Sequence, residues 1–246
     1  MEFSIILPTL NEKGHILDLI NSIKKNFKNK KIKFEIIIVD DNSTDGTAQL
    51  VKKKTKKDKK IKLFIRKGEK KNLAKSLNLG IKKSKYQNII WMDADYQHPP
   101  KYIRKIFRLI KNYDIIIFSR FLKKSKRYFD KDIRTKEANE NQSIYFNKIC
   151  NFLFYKELTD YTSGYICIKK KELTNYNLRG YYGEYFLNLL IYSKKKKLRI
   201  IELPFDEKFR KTGDSKTIGG GKLRYIYVCS NYIFSIFKNI IIKLFN

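Results

Sequence analysis

Five short apolar runs recur along the first half of the chain: Phe3–Leu7, Phe34–Val39, Ile61–Ile65, Asn88–Met92 and Asp114–Phe118. Each is continuous and isoleucine-rich, without the polar alternation of a half-exposed strand, which predicts strands buried on both faces. Between them, Glu12–Phe27, Gly46–Lys57, Asn72–Lys83 and Pro100–Lys111 carry apolar residues at helical spacing. Strand–helix alternation of this kind predicts an α/β fold, a mostly parallel central sheet with helices on both faces. Asp45 or Ser43 is placed to cap the second helix, and Pro99-Pro100 suits the first turn of the fourth.

After Arg120 the pattern loosens. Leu122–Lys136 is basic and without periodicity, which predicts a mobile surface loop. A helix around Gln142–Phe154, a strand at Gly164–Ile168, a helix at Glu184–Ser193 and a strand at Leu198–Leu203 complete the body. The C-terminal stretch 223–246 is amphipathic. Leu223, Ile226, Tyr227, Ile233, Phe234, Phe237, Ile240, Ile241, Leu244 and Phe245 fall on one helical face. Arg224, Asn231, Ser235, Lys238, Asn239 and Lys243 fall on the other. Cations on the polar side suit an interfacial membrane anchor; packing on the domain's own core or on a partner is the competing reading.

Composition adds charge to this picture. The 246 residues carry 55 Lys and Arg against 24 Asp and Glu, a net charge of +31. Such an excess attracts nucleic acid, anionic lipid or phosphorylated small molecules. Much of it is lysine in runs at helix ends and turns, as expected of solvated faces. A 42% hydrophobic content excludes wholesale disorder. Three cysteines (Cys150, Cys167, Cys229) make neither a metal spacing nor an even disulfide set, which points to a reducing, cytoplasmic setting. No basic leader with a cleavage site precedes the first apolar run. No stretch reaches the ~18 uncharged apolar residues of a conventional transmembrane helix.

In an open parallel sheet, ligands bind beyond the carboxyl ends of the strands. Those ends read Pro8-Thr9-Leu10-Asn11-Glu12, Asp40-Asp41-Asn42-Ser43-Thr44-Asp45-Gly46, Asp93-Ala94-Asp95-Tyr96-Gln97-His98 and Ser119-Arg120. Acid therefore gathers at one sheet edge in a protein otherwise short of it. Asp93 and Asp95 are two apart, so their carboxylates project to one side. A divalent ion between them would relieve their repulsion, with Gln97 a compatible hard ligand for Mg²⁺ or Mn²⁺. An ion with so few protein ligands completes its shell with phosphate oxygens and neutralises a departing nucleoside diphosphate. Either pair could instead serve as turn and helix caps.

These segments, with Asp160-Tyr161-Thr162-Ser163-Gly164-Tyr165, Glu202-Leu203-Pro204 and Arg210-Lys211-Thr212-Gly213-Asp214-Ser215-Lys216, run in order through nearly the whole chain. They resemble the family 2 inverting glycosyltransferases of GT-A fold, most closely the dolichol- or polyprenyl-phosphate mannose synthase branch. The resemblance implies a GT-A domain over 1–222, with a nucleotide-sugar half (1–120) and an acceptor half (121–222), followed by the interfacial helix. It implies a nucleotide-sugar pocket of Pro8, Glu12, Val39, Asp40, Asp41, Asp93, Ala94 and Asp95. Asp93, Asp95 and Gln97 would hold Mg²⁺ or Mn²⁺. Arg120, Arg210 and Lys216 would clamp phosphates, and Asp93, Arg120 and Glu184 would act at the reacting centre. Glu184, in a Gly-Glu-Tyr-Phe segment, is also an ordinary first-turn acid.

Two departures bear on the acceptor. Leu10 stands where the branch usually has an aromatic residue. The helix before Asp160 reads Glu137-Ala138-Asn139-Glu140-Asn141-Gln142, so its usual cation is missing or supplied by Arg134. The implied reaction is a single in-line displacement with inversion, from a GDP- or UDP-sugar to a polyprenyl or dolichyl phosphate, on the cytoplasmic face of a membrane. A phosphate acceptor is already ionised and needs no strong base, in keeping with His15 and His98 lacking a partner motif. A saccharide hydroxyl acceptor is the alternative and would need one, from Glu184 or Asp93. Nucleic-acid binding, suggested by the charge, is opposed by the absence of a recognition module and by acidic strand ends.

Overall fold

The computed structural model describes residues 1–28, 30–125, 133–208 and 221–244; within it, the side chains of 133–142, 221–225 and 243–244 are not described. Seven strands form one sheet: β1 (Glu2–Thr9), β2 (Lys33–Asp40), β3 (Ile61–Ile65), β4 (Asn88–Trp91), β5 (Ile115–Ser119), β6 (Ile166–Lys169) and β7 (Ile200–Pro204). Their order is β3-β2-β1-β4-β6-β5-β7. All neighbours are parallel except β6, which runs antiparallel to both β4 and β5. The helices are α1 (Ile16–Phe27), α2 (Thr47–Lys57), α3 (Leu73–Lys83), α4 (Ile103–Leu109), α5 (Ile133–Leu153), α6 (Glu184–Lys195) and α7 (Gly221–Leu244).

The apolar runs are strands because both of their faces are covered. Along β1, Phe3, Ile5 and Leu7 join one core layer with Ile16, Leu19 and Ile20 of α1. Ile6 turns to the other layer, with Leu77 of α3 and Leu187, Leu189 and Leu190 of α6. The same alternation places Ile36 and Ile38 of β2 on one side and Ile37 and Val39 on the other.

Chain order reverses at β1: β2 lies to one side of it and β4 to the other. A crevice therefore opens beyond the carboxyl ends of β1 and β4, the switch point at which open α/β sheets bind ligands. The acidic strand ends meet there.

Two boundaries differ from expectation. α5 begins at Ile133, so Ile133–Lys136 are helical and not part of a loop. Lys136–Gln142 is polar apart from Ala138 and offers no apolar period, although a helix propagates through it without needing one. Residues 126–132 of that expected loop lie outside the described residues. α7 starts at Gly221, and among the described residues no helix is long and apolar enough to cross a membrane.

Candidate active site

A cavity of about 220 Å³ occupies the crevice. Pro8, Thr9, Leu10 and Glu12 line it from the end of β1, Asp41 from β2, and Asp93, Ala94 and Asp95 from β4. Lys71, Asn72, Leu73 and Ser76 close it from the start of α3, and Tyr181 and Tyr182 from the segment before α6.

The β1 and β2 ends are stitched together by the turns that follow them. Asn11 and Asn42 adopt left-handed backbone (φ 56° and 60°), which asparagine tolerates better than most residues. The Asn11 N–H donates to Ser43 Oγ (2.8 Å), and the Thr44 N–H donates back to Asn11 Oδ1 (2.8 Å). Glu12 N–H donates to Thr47 Oγ1 (2.8 Å), and Asp45 accepts the Thr47 N–H (2.9 Å) from the position before the α2 N-cap, which is Gly46 and neither Asp45 nor Ser43. The buried Glu12 carboxylate lies 2.8 Å from His15 Nε2.

The two aspartates ending β2 have different fates. Asp40 is fully buried and accepts from Thr9 Oγ1 (3.3 Å), the Ser43 N–H (2.8 Å) and Ser43 Oγ (2.6 Å), so it holds the turn and does not line the cavity. Asp41 does line it. One Asp41 oxygen accepts from Arg66 Nη1 and the other from the Asn72 N–H at 2.7 Å. Burial nonetheless pushes the Asp41 carboxyl above its ordinary range, outweighing the Asn72 and Arg66 contributions. Val39, expected in the pocket, has its side chain in the core instead.

Arg66, at the end of β3, is the residue that sequence reasoning missed. It also donates to Asn72 O (3.1 Å), Ser76 Oγ (3.2 Å) and Glu69 (3.0 Å), fixing the start of α3 against the cavity. The signal was present: a lone arginine at a strand end in a lysine-rich chain.

On the β4 side, the Asp93 N–H donates to His98 Nδ1 at 3.0 Å. His98 must therefore carry its proton on Nε2, which faces Asp93 Oδ2 at 3.9 Å. Burial holds His98 down to about 4, in agreement with this neutral tautomer. Its ring stacks on Tyr165 (centroids 5.1 Å). Both histidines thus have carboxylate neighbours, His15 with Glu12 and His98 with Asp93, contrary to the expectation from sequence. The Asp93 side chain is 45% exposed, whereas Asp95 is buried and accepts the Gln97 N–H at 3.0 Å.

Asp93 and Asp95 lining one cavity fit a hard divalent ion that relies on substrate for its remaining ligands. Gln97, the expected third ligand, does not line the cavity; its main-chain carbonyl accepts the Lys208 N–H. Among the described residues, no group of three His, Cys, Asp or Glu side chains forms a metal cage.

Two expected catalytic residues are committed elsewhere. Arg120 makes a fork–fork pair with fully buried Asp160 (Nε and Nη2 each 2.9 Å from an oxygen), donates to Thr162 Oγ1 (2.6 Å) and faces Glu207 at 3.6 Å. Asp160 in turn is held beside Glu202, which accepts the Thr159 and Asp160 N–H groups (2.8 and 3.1 Å). Arg120 does not line the cavity. Glu184 is buried, and its two oxygens accept the Tyr181 and Tyr182 N–H groups at 2.6 and 3.0 Å. It shapes the cavity wall without reaching the cavity. Arg210 and Lys216 lie outside the described residues, as does the side chain of Arg134. The cation the described lining does supply is Lys71.

The family model for glycosyl transferase family 2 matches residues 4–175, which contain both aspartate motifs and most of this cavity. The chain belongs to glycosyl transferase family 2. Among its relatives, the dolichol-phosphate mannosyltransferase of Pyrococcus furiosus is 30% identical over 92% of this chain. That of Saccharomyces cerevisiae is 27% identical, also over 92%. The chain spans 62% of the Pyrococcus protein's length and 85% of the yeast protein's. The fold resembles glucosyl-3-phosphoglycerate synthase from Mycobacterium tuberculosis in complex with uridine diphosphate, with a TM-score of 0.68 over 97% of this chain and 80% of that one at 15% identity. The same enzyme has been solved with Mn²⁺, uridine diphosphate and phosphoglyceric acid. The family membership and GT-A fold implied by the motifs are thereby established.

Proposed function

We propose that this family 2 protein transfers a sugar, of mannose or glucose type, from a nucleoside-diphosphate sugar to a polyprenyl phosphate, with inversion and with a divalent ion. The observation carrying this reading is that Asp93 and Asp95 stand on one wall of a cavity whose other walls present Asp41, Asn72 and Lys71. One end offers a carboxylate and amide for a base or ribose, the other a pair of hard oxygen ligands. Mg²⁺ or Mn²⁺ held by Asp93 and Asp95 would stabilise charge on the leaving diphosphate. Lys71 adds positive potential, and Arg210 and Lys216 are proposed to complete the clamp. The names of the two relatives support a dolichyl or polyprenyl acceptor.

Glu184 is engaged and Asp160 and Glu202 are absent from the cavity lining, so a saccharide hydroxyl would have to draw its base from Asp93, which this reading assigns to the metal; that favours a phosphate acceptor. A phosphate brings its own ionised oxygen, whereas a hydroxyl needs a base that Glu184, Asp160 and Glu202, already accepting backbone N–H groups, are poorly placed to supply.

The surface supports a lipid-bound substrate. α7 docks through a mixed face: Val228, Ser235 and Asn239 are buried, Ile236 and Ile240 (the latter expected on the outward apolar face) pack on the core, and Asn239 Nδ2 donates to Asn188 of α6 at 2.7 Å. Ile226, Ile233, Phe234, Phe237 and Ile241 remain exposed, Phe234 at 69%. α5 shows a similar row in Tyr145, Ile149 and Phe152, and Phe146 of α5 meets Tyr232 of α7 at a ring separation of 4.9 Å. Two neighbouring helices with outward apolar rows suit a peripheral membrane face, and exposed Lys148 and Lys238 suit anionic headgroups. We place this face on the cytoplasmic side, where the nucleotide-sugar donor is made available.

The test is a Mn²⁺-dependent transfer assay with labelled GDP-mannose and UDP-glucose against polyprenyl phosphate in detergent. Label is expected in the organic phase. Transfer only to water or to free saccharide would overturn the acceptor assignment.

A further inference from the structure

The cavity wall facing the strand ends is the short segment Gly180–Gly183 that leads into α6. It is fixed from three directions. From α3, the Leu73 N–H donates to Tyr181 O at 3.2 Å. From α6, Glu184 accepts the Tyr181 and Tyr182 N–H groups. From behind, α7 presses on it: the Tyr182 and Tyr227 rings meet edge-on at 6.5 Å. The Tyr232 hydroxyl also fills the space where a side chain on Gly183 would stand. A Cβ built on Gly183 would run into that hydroxyl oxygen, with Tyr232 Cζ 3.5 Å away. The Tyr232 ring is itself set edge-on against Phe146 of α5.

Neither Gly183 nor Tyr232 lines the cavity, yet the two residues preceding Gly183 do. A protein interior transmits displacement because it is close-packed, so a shift of a few tenths of an ångström at Gly183 reaches Tyr181 and Tyr182. We infer that Tyr232 of α7 is a positioning residue for the nucleotide-sugar cavity, setting through Gly183 the depth at which Tyr181 and Tyr182 stand in it. The inference rests on the donor reading above for the identity of the occupant, though not for the contact itself. Its consequence is that the helix with the apolar outer face also buttresses the donor site: one side of α7 meets lipid, the other holds a cavity wall.

The test is a double-mutant cycle on the full chain. Gly183→Ala introduces the collision, and Tyr232→Phe removes the atom collided with while keeping the ring. Two readouts are taken: affinity for UDP and for GDP with Mn²⁺ by titration calorimetry, and hydrogen exchange at the Tyr181 and Tyr182 amides. Gly183→Ala is expected to weaken binding of the preferred nucleotide about tenfold and to speed exchange at both amides, and Gly183→Ala with Tyr232→Phe to recover to within about threefold. In transfer assays the loss should appear in the donor KM with kcat little changed. A purely structural role would not give recovery on deleting a hydroxyl. Equal defects in the single and double variants, or an unchanged Gly183→Ala protein, would overturn the inference. Should exchange follow the cycle while the parent binds neither nucleotide, the wall contact stands and the donor reading falls. Tyr232→Ala, which leaves Gly183 untouched, carries the same two readouts if Gly183→Ala fails to fold, and unchanged values in it overturn the inference equally.

Discussion

The guanidinium of Arg66 and the carboxylate of Asp41 form an ion pair sealed beneath the α3 side of the cavity, their side chains 4% and 9% exposed. Arg66 simultaneously holds the Asn72 carbonyl and Ser76, so one side chain ties β2, β3 and α3 together at the point where the proposed nucleotide enters. Arg66→Met strips buried Asp41 of its hydrogen-bonded cation and leaves only the Coulombic help of Lys71, and we expect a loss of about 3 kcal/mol in urea denaturation. Arg66→Lys, which keeps the charge without the fork, should lose less. A methionine variant as stable as the parent would show that the pair is not what holds this corner.

Asp95→Ala is expected to lower metal-dependent transfer by at least about 100-fold while leaving the fold intact. Asp95 follows the end of β4 and accepts the Gln97 N–H, a group of the turn and not of the core. Circular dichroism and the transfer assay together check this; retained Mn²⁺-dependent activity would remove Asp95 from the metal site.

Glu184 is the sharpest case for separating shape from chemistry. As the acceptor of two N–H groups, its loss in Glu184→Ala should cost about 1–3 kcal/mol of stability and raise the donor KM. The pH dependence of kcat should keep its form, because no proton passes through this carboxylate. Loss of the basic limb of the profile, with donor affinity unchanged, would instead make Glu184 the base.

A further pH effect arises far from the cavity. Asp114 accepts from both Arg199 (3.1 Å) and Lys169 (2.8 Å), and the Arg199 hydrogen bonds above all hold its carboxyl well below the ordinary 3.8. A carboxyl depressed in the folded state contributes stability that is fully present above its unfolded value and fades as the pH falls below 3.8 towards the folded value. Asp114→Asn should therefore destabilise the protein at pH 7, and the gap to the parent should close on acidification below about pH 3. Denaturation curves across that range decide it; a gap that is independent of pH would contradict the pairing.

Phe234→Glu and Phe237→Glu place charge on the outward row of α7, where burial in the body is not at stake. Each should reduce co-sedimentation with anionic vesicles several-fold with no loss of thermal stability. Destabilisation without any change in vesicle binding would mean that this row is covered by protein.

Most of the fold was legible from one dimension. A continuous apolar run reports a strand covered on both faces, and an i, i+4 spacing reports a helix with one inward side; these properties belong to neighbouring residues. The antiparallel β6 was not legible, because its Ile166–Lys169 run looks the same in either direction. The helical start of α5 was not legible either, since its polar first turns carry no period.

At the site, sequence by itself determined that acid collects at the carboxyl ends of β1, β2 and β4, and that Asp93, Asp95 and Asp41 were candidates for one cavity. Tertiary structure alone decided which polar groups were already spoken for. Asp40 turned to Ser43 and Thr9, Arg120 to Asp160, and Glu184 to the backbone of Tyr181 and Tyr182, while Arg66, 25 positions from its partner, came to Asp41. It likewise turned Ser235 and Asn239 of α7 inward beside Val228, Ile236 and Ile240, and left Ile226, Ile233, Phe234, Phe237 and Ile241 outward. The physical reason is one of range. Hydrophobic periodicity is a local property of the chain, whereas a buried polar group takes a hydrogen-bond partner wherever the fold supplies one, three positions away for Glu184 and Tyr181 or 40 away for Arg120 and Asp160, and no spacing rule announces which.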